Sequence, residues 1–230
     1  SIPHIERQLC YATARDITDR KHADEALADR SQMMSLAADV GIALQGADIR
    51  EMLQGCCAAH VRHLGAAFAR IWTLDPTENV LVLEASSGMY THIDGGHARI
   101  PMGKFKIGMI AQDRKPHLTN RVIDDPRISD REWARREGIV SFAGFPLLLG
   151  NQLVGVIGMF ARHALTEIVT QAMESVARTI ALGIVRRWTD EALRISEERT
   201  RLVIDTALDA VVTTSDSGVI VGWNRQAEQT

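Results

Sequence analysis

The chain has 230 residues, of which 46% are hydrophobic and 24% charged, and its formal net charge is −3. This composition is typical of a soluble globular protein and excludes a chain that is largely disordered or of low complexity. Because no basic surplus is available to neutralise a phosphate backbone, we expect no nucleic-acid partner. No apolar run approaches the roughly 20 residues that span a bilayer, so we expect no membrane contact by this segment.

The cysteines bear on the cellular compartment. There are three, Cys10, Cys56 and Cys57, and the adjacent pair is poorly suited to forming a disulfide. This usage favours a reducing, cytoplasmic environment. Cys56 falls on the apolar side of a predicted helix, where a small buried hydrophobe is the favoured interpretation, whereas Cys57 is expected to be more exposed.

The N-terminal region combines a strand-like stretch with a long polar helix. Its first residues resemble neither a signal peptide nor a usual start, which indicates a cut through a longer protein. Residues 9–14 are strand-like, and Thr18 is a good N-cap for a helix predicted over residues 19–45. The apolar stripe of that helix is narrow, which is typical of a helix that pairs with another helix.

The following segment predicts a helix and two strands. Asp48 and Glu51 form a capping box, and apolar residues then recur at helical spacing. Residues 67–74 and 80–85 are strand-like and are separated by a turn-forming loop. Two short helices are predicted further on, at residues 107–114 and after a second capping box formed by Ser129 and Glu132.

A hairpin is the strongest local prediction. Residues 139–149 and 152–161 are apolar, strand-like runs joined by Gly150 and Asn151. A two-residue loop of this kind fits a primed turn, so the two strands should be antiparallel neighbours. A helix from residue 166 to about 187 follows. The order of elements predicts the α+β class, with an antiparallel sheet and helices packed on it.

An apolar stripe continues along the helix that leaves this region. It repeats in steps of three and four residues and resembles a short coiled coil interrupted by Arg199. Such a stripe would lie exposed on an isolated helix, so we expect a second copy of the chain to cover it in a parallel dimer. The predicted dimer and transmission residues are Val185, Trp188, Ala192, Ile195 and Leu202.

Several segments in the middle of the chain together resemble a known family. They are residues 67–74, 108–111, 115–118, 138–146 and 153–158. On these segments the region of about residues 30–187 resembles a GAF domain, the small-molecule sensing module of signalling proteins. Residues 15–21 look like the exit motif of a PAS domain, and residues 208–224 resemble the opening of another. Such a series is similar to the input half of bacterial sensor histidine kinases.

The resemblance implies a GAF-like antiparallel sheet with long signalling helices and an incomplete PAS fragment at each end. The implied boundaries are a PAS fragment at 1–18, a signalling helix at 19–45, the GAF domain at 46–187, a linker helix at 188–205 and a PAS fragment at 206–230.

The resemblance also implies a sensory function without catalysis in this segment. A small ligand or partner bound by the GAF domain would bias the packing of dimeric helices, which would pass the signal to adjacent PAS and output domains of the same chain. The parent protein would be a sensor histidine kinase. The alternatives are an output with diguanylate cyclase or phosphodiesterase activity, a thiol enzyme of the free methionine sulfoxide reductase type, and a structural dimerisation spacer.

Candidate ligand-binding residues follow from strand alternation in the implied fold. Phe68, Arg70 and Trp72 share one face of their strand, and the alanines opposite suit close helix packing. Phe142 and Phe145 lie on opposite faces, so only one of them can line the cavity. The predicted ligand-binding residues are Arg70, Trp72, Met109, His117, Trp133 and Phe142.

Histidines are the remaining candidates for metal binding. The resemblance places His92, His97 and His117 in loops that cover the cavity, while His60 and His63 are three residues apart on a predicted helix. Two histidines at that spacing bind a metal only when a third ligand is near. The favoured interpretation is polar surface, and we predict no metal site, no cofactor and no catalytic residue.

Overall fold

A computed structural model describes residues 18–207 and 209–228 of the chain. The predicted strand at residues 9–14 and nearly all of the proposed N-terminal PAS fragment lie outside the described residues. The helices are α1 (Thr18–Ala43), α2 (Ile49–Leu64), α3 (Phe105–Asp113), α4 (Arg131–Arg136), α5 (Glu167–Asp205) and α6 (Arg225–Glu228). The strands are β1 (Ala66–Asp75), β2 (Val80–Gly88), β3 (Arg99–Pro101), β4 (His117–Thr119), β5 (Ser141–Leu149), β6 (Gln152–Ala161), β7 (Val212–Thr214) and β8 (Ile220–Trp223), and a 3₁₀ turn covers Val122–Asp124.

Six strands form one antiparallel sheet in the order β3-β2-β1-β6-β5-β4. The predicted hairpin is confirmed, because β5 and β6 are antiparallel neighbours with Leu149 opposite Gln152. Gly150 has φ of 58°, a left-handed conformation that glycine adopts without steric cost and that the first position of a primed turn requires. The fold is therefore the α+β arrangement that the sequence predicts.

The sheet separates two apolar layers. On one face α1, α2 and the first half of α5 cover the sheet, and Ala69 and Ile71 of β1 point into that layer. Trp72, the residue after Ile71, belongs to the other layer, beneath α3, α4 and their loops. The side chains that fill the helix-covered layer include Leu36, Val40, Leu53, Cys56, Phe145, Ile157, Met159, Met173, Ile180 and Ile184.

Local capping positions two of the helices. Asp48 Oδ1 accepts a 2.8 Å hydrogen bond from the backbone N–H of Glu51 and so caps α2, as the sequence predicts. At α4 the predicted cap, Ser129, is wrong by one residue. Asp130 caps the helix, and its Oδ1 accepts a 2.7 Å hydrogen bond from the backbone N–H of Trp133.

Helix α5 is one continuous helix of 39 residues, so the predicted domain helix and linker helix are a single element. Its buried side chains all lie between Ala172 and Ile184, against the sheet. Beyond that point the stripe is open to solvent, with Trp188 37%, Ile195 52% and Leu202 64% exposed. By length and composition α5 could span a membrane, but the core helix of a globular domain passes the same test, and the first half of α5 is such a helix.

A two-stranded hairpin, β7–β8, follows α5 and exposes most of its apolar side chains. Val219 and Trp223 are exposed, whereas Val211 is half-buried. Asn224 is fully buried and fixes the hairpin to the end of α5. Its side-chain amide donates to the carbonyl of Ile204 at 3.0 Å, while its Oδ1 accepts from the backbone N–H of Val211 at 2.9 Å.

Candidate functional site

A cavity of about 310 Å³ lies on the face of the sheet opposite α1, α2 and α5. Its floor is an aromatic row formed by Phe68, Phe160 and Phe142 on the adjacent strands β1, β6 and β5. Phe160 is the register partner of both other residues. Ring centroids are 5.0 Å apart for Phe68 and Phe160, and 4.8 Å apart for Phe142 and Phe160. Rings at this spacing form a continuous apolar surface.

Glycines beside the aromatic row let α3 approach the sheet. Gly158 pairs with Arg70 on β1 and with Gly144 on β5. A Cβ added at Gly144 would lie 2.5 Å from Ile110 Cδ1, and one added at Gly158 would lie 3.1 Å from Ile107 Cδ1. A side chain at Gly144 would crowd Ile110, and one at Gly158 would crowd Ile107 more mildly. The two glycines therefore let α3 lie close to the sheet, with its first turn over the cavity.

Three segments cover the aromatic row. The β2–β3 loop contributes Tyr90, His92 and His97, and the first turn of α3 contributes Phe105, Lys106 and Ile107. The third segment, residues 127–133, ends in Trp133 on α4. Trp72 Nε1 donates a 2.9 Å hydrogen bond to the carbonyl of His97, which ties the β2–β3 loop to the sheet.

Arg70 brings a guanidinium group to the cavity wall. Its Nε donates a 3.1 Å hydrogen bond to Ser86 Oγ on β2, and the residue is buried. The guanidinium carbon lies 5.5 Å from the ring centroid of Phe68 and 5.7 Å from that of Tyr90, within cation–π range. Burial lowers the pKa of Arg70 below its ordinary value, but an arginine remains charged at neutral pH.

Lys106 brings a second cation, held in an apolar setting. The residue is 6% exposed, and its Nζ lies 3.7 Å from the ring centroid of Phe142. Asp125 Oδ2 is 3.5 Å from this Nζ, close enough for an ion pair, yet Nζ makes no hydrogen bond with any residue that the structure describes. Burial lowers the pKa of Lys106 to about 8, and the carboxylate of Asp125 partly opposes that shift.

Asp125 lies behind Lys106 and is held by its own hydrogen bonds. Its Oδ2 accepts a 2.7 Å hydrogen bond from His117 Nε2, and its Oδ1 accepts a 2.9 Å hydrogen bond from the backbone N–H of Arg127. Burial alone would raise the pKa of Asp125. The hydrogen bonds from His117 and Arg127, together with the Lys106 ammonium, hold that pKa below its ordinary value.

The structure brings together four of the six predicted ligand-binding residues. Arg70, Trp72, Trp133 and Phe142 line the cavity, while Phe145 points into the layer on the other face. The expectation for the other two is corrected. Met109 lies in the second turn of α3, beyond the part that reaches the cavity, and is half-buried there. His117 lies on the edge strand β4, one strand beyond the aromatic row, where it supports Asp125 instead of lining the wall.

The two described cysteines lie on the far side of the sheet from the cavity. Cys56 and Cys57 are fully buried against the helix layer, so the expected exposure of Cys57 is wrong. Burial raises the pKa of the Cys56 thiol to about 12 and that of Cys57 well above its ordinary value. His60 is buried in α2, and its Nδ1 lies 2.8 Å from the carbonyl of Cys56. Within the described residues, no group of three or more His, Cys, Asp and Glu could hold a metal ion.

Solved structures with a similar fold come from several kinds of protein. The GAF domain of a phosphoenolpyruvate-protein phosphotransferase from Coxiella burnetii is 18% identical with a TM-score of 0.62, and the match covers 70% of this chain and 98% of that one. A free methionine-R-sulfoxide reductase from Neisseria meningitidis, in complex with its substrate, is 16% identical with a TM-score of 0.58, over 79% of this chain and 98% of that one. At such identities the likeness shows the fold alone.

Sequence comparison extends the match beyond the fold. An uncharacterized protein of Azorhizobium caulinodans is 33% identical over 94 residues, which are 40% of this chain and 12% of that protein. The chain thus matches only a small part of that relative. The profile of the GAF domain family matches residues 46–185, more than half of the chain. The chain therefore belongs to the GAF domain family, a family of sensory and regulatory modules.

Proposed function

We propose that the chain is a sensory input segment of a multidomain bacterial signalling protein, and that its GAF domain binds a small molecule in the cavity over the aromatic row. The observation that carries this proposal is an apolar cavity of about 310 Å³ with a few convergent polar groups in its wall. Small-molecule sites have this character, and their volumes run from roughly 300 Å³ upward. The segment itself performs no chemistry.

A thiol enzyme of the sulfoxide reductase type is disfavoured by the position of the cysteines. Cys56 and Cys57 are separated from the cavity by the sheet, and burial raises the pKa of both thiols. A thiol attacks as its thiolate, which is scarce when the pKa is high. The burial of Cys56 and Cys57 therefore does not support a thiol mechanism for these two residues at the cavity.

The proposed arrangement of domains adds PAS fragments at residues 1–18 and 206–230 to a GAF domain at residues 46–187. The exposed apolar side chains of the β7–β8 hairpin support the second fragment, because an isolated two-stranded hairpin is marginally stable and needs further strands. The parent protein is then a cytoplasmic sensor histidine kinase, with a cyclase or phosphodiesterase output as the alternative. Autophosphorylation of the full-length protein with ATP distinguishes these outputs.

Transmission is proposed to run through a homodimer formed by α1 and α5. The two helices pack side by side, and Gly183 of α5 lets Leu44 approach so closely that an added Cβ would lie 2.6 Å from Leu44 Cδ2. Both helices also expose large apolar side chains, which a second copy could cover. Those side chains are Leu27, Met34 and Ile42 on α1, and Trp188, Ile195 and Leu202 on α5.

Native mass spectrometry of the chain purified from its own host tests ligand binding. We expect a bound mass that is released on denaturation and is absent from a Gly158→Leu variant, because a side chain at Gly158 enters the cavity. A bound mass that persists in this variant places the ligand elsewhere. A chain that carries no small molecule, and whose melting temperature no metabolite changes, is a structural spacer.

A further inference from the structure

The charges in the cavity wall favour an anionic ligand. Three lining residues are cationic, Arg70, Lys106 and Arg127, and one lining residue is acidic, Asp130. The carboxylate of Asp130 is already engaged, because it caps α4 through the backbone N–H of Trp133. Asp125 offsets part of the charge from behind Lys106, but a positive excess remains within the wall.

Lys106 also lacks a hydrogen-bond acceptor. An ammonium group has three N–H donors, and a buried donor without an acceptor is unfavourable. The ring of Phe142 and the carboxylate of Asp125 attract the charge of Lys106, but neither accepts a hydrogen bond from Nζ. A ligand oxygen above the aromatic row would supply the missing acceptor.

Arg70 is only partly satisfied. Its Nε is bound to Ser86, but the two terminal amino groups of the guanidinium have no acceptor among the residues that the structure describes. Two buried cations in one cavity therefore both have donors to offer, and each lies beside rings of the aromatic row.

We propose that the ligand is a small aromatic carboxylate whose carboxylate accepts hydrogen bonds from Lys106 and whose ring lies on the aromatic row. This inference rests on the proposed function of the cavity. A volume of about 310 Å³ limits the ligand to one or two rings. A single negative charge fits better than a dianion such as a phosphate monoester, because Asp125 lies 3.5 Å behind the ammonium.

The test compares acids with their neutral amides on the whole chain. The probes are benzoate, 2-naphthoate and indole-3-acetate, each paired with the corresponding amide and titrated by isothermal calorimetry. We expect at least one acid to bind tenfold or more tightly than its amide. The Lys106→Met variant should bring the affinity for that acid down to that of the amide and leave the amide unchanged.

Two further variants separate charge from folding. Lys104→Met removes an exposed lysine two residues away, and it should change neither affinity. Lys106→Arg keeps the charge and should retain a preference for the acid. Thermal unfolding of Lys106→Met must be as cooperative as that of the parent chain, so that a loss of affinity is not a loss of folding.

The outcomes separate this inference from the proposed function. If acids and amides bind equally, or if Lys106→Met leaves the preference intact, the charge assignment is wrong, although the cavity still binds a ligand. If none of the acids binds while native mass spectrometry finds another small molecule, the ligand class is wrong. If neither experiment finds any ligand, both proposals fail.

Discussion

Trp133 Nε1 donates a 2.9 Å hydrogen bond to the hydroxyl of Tyr90 and thereby joins α4 to the β2–β3 loop. Both segments cover the cavity, and the two rings also contact Phe68 in the floor, with centroids 5.3 Å from it for Tyr90 and 6.0 Å for Trp133. A ligand cannot enter between these segments without separating them. This hydrogen bond therefore bears on how fast the cavity opens.

Replacing Tyr90 by Phe should loosen the cover and leave the floor intact. The variant keeps the ring contact with Phe68 and loses one hydrogen bond, a stabilising contribution of about 1 kcal/mol. We expect amide hydrogen exchange in residues 127–136 to accelerate about fivefold, with the exchange of β1 and β6 unchanged. Trp72→Phe is the control, because its hydrogen bond to His97 holds the β2–β3 loop but not α4. Unchanged exchange at α4 in Tyr90→Phe would show that the hydrogen bond does not close the cover.

The affinity for an anionic probe should fall as the pH rises through about 8. The pKa of Lys106 is lowered to about 8, so its charge disappears above that pH, while Arg70 stays charged and Asp125 stays ionised. A bound carboxylate favours the charged form of Lys106, so the affinity should decrease by up to about tenfold per pH unit once the free protein has lost its proton. Calorimetric titration of 2-naphthoate between pH 6.5 and 10 measures this, with 2-naphthamide as the control. An affinity that stays flat for the acid contradicts the role of Lys106.

His60 should make the domain sensitive to acid. Burial lowers its pKa from 6.5 to about 4, and its Nε2 has no hydrogen-bond partner among the described residues. Because the folded state takes up the proton only near pH 4, the unfolded chain binds more protons between pH 6.5 and 4, and stability falls as the pH falls through that interval. The full shift in the pKa of His60 corresponds to a decrease of about 3 kcal/mol in the free energy of unfolding.

The variant His60→Leu should lose this part of the acid sensitivity. Urea unfolding at pH 7 and pH 4.5 measures the difference, and at pH 7 we expect the variant to lie within about 1 kcal/mol of the parent, since only one hydrogen bond is lost. His163→Leu, at an exposed histidine, is the matched control and should keep the pH dependence of the parent. Equal pH slopes for the parent and His60→Leu would show that His60 is not the responsible group.

Both faces of β1 were predictable from the sequence, because alternation in a strand is fixed by backbone geometry. Arg70 and Trp72 line the cavity as expected. Phe160 was not found because a bulge between Leu147 and Leu148 shifts the register by one residue. Counting back from the Gly150 turn without the bulge pairs Phe142 with Met159 and turns Phe160 toward the helices. Pro146 and Gly155 flank the bulge and are residue types common at bulges, but they do not by themselves fix where the register shifts.

Lys106 and Met109 illustrate a second kind of limit. A lysine is rarely buried, so the helical pattern predicts that Lys106 lies on the surface and that an apolar neighbour such as Met109 lines the cavity. What buries Lys106 is the close approach of α3 to the glycines of β5 and β6, together with the ring of Phe142. These are contacts between segments distant in sequence, and no local pattern contains them.

The thiols of Cys56 and Cys57 should be protected in the native chain. Their burial and raised pKa predict alkylation by iodoacetamide at pH 8 at least a hundredfold slower than in 6 M urea. A Cys10→Ser background removes the thiol that lies outside the described residues. The chain should show no turnover of free methionine sulfoxide, and the Cys56→Ser, Cys57→Ser double variant should behave the same. The enzyme alternative would be supported by two results together: rapid alkylation of the native thiols, and turnover of free methionine sulfoxide that the double variant abolishes.

The proposed dimer should depend on the stripe of α5. Trp188 and Ile195 are 37% and 52% exposed, and burying such side chains in a seam contributes about 1.5–3 kcal/mol each. Trp188→Glu or Ile195→Glu should therefore weaken self-association at least tenfold in sedimentation equilibrium of the 230-residue chain. Leu193→Glu is the control, because this leucine is 58% exposed and lies on another side of the same helix. If both stripe variants are as dimeric as the parent chain, the stripe does not form the dimer seam and α5 serves only as a tether.

Because α5 is continuous, a small tilt of the helix produces a larger displacement at its far end. With a rise of 1.5 Å per residue, the part beyond Ile184 is an arm of about 30 Å, rooted in the layer that backs the sheet. A tilt of about 5° at the root moves the far end by about 3 Å, which is half a helical turn. The side-chain amide of Asn224 donates a hydrogen bond to the carbonyl of Ile204 at that far end, so the β7–β8 hairpin moves together with the end of α5. A displacement too small to disturb the buried half of α5 therefore reaches the hairpin amplified.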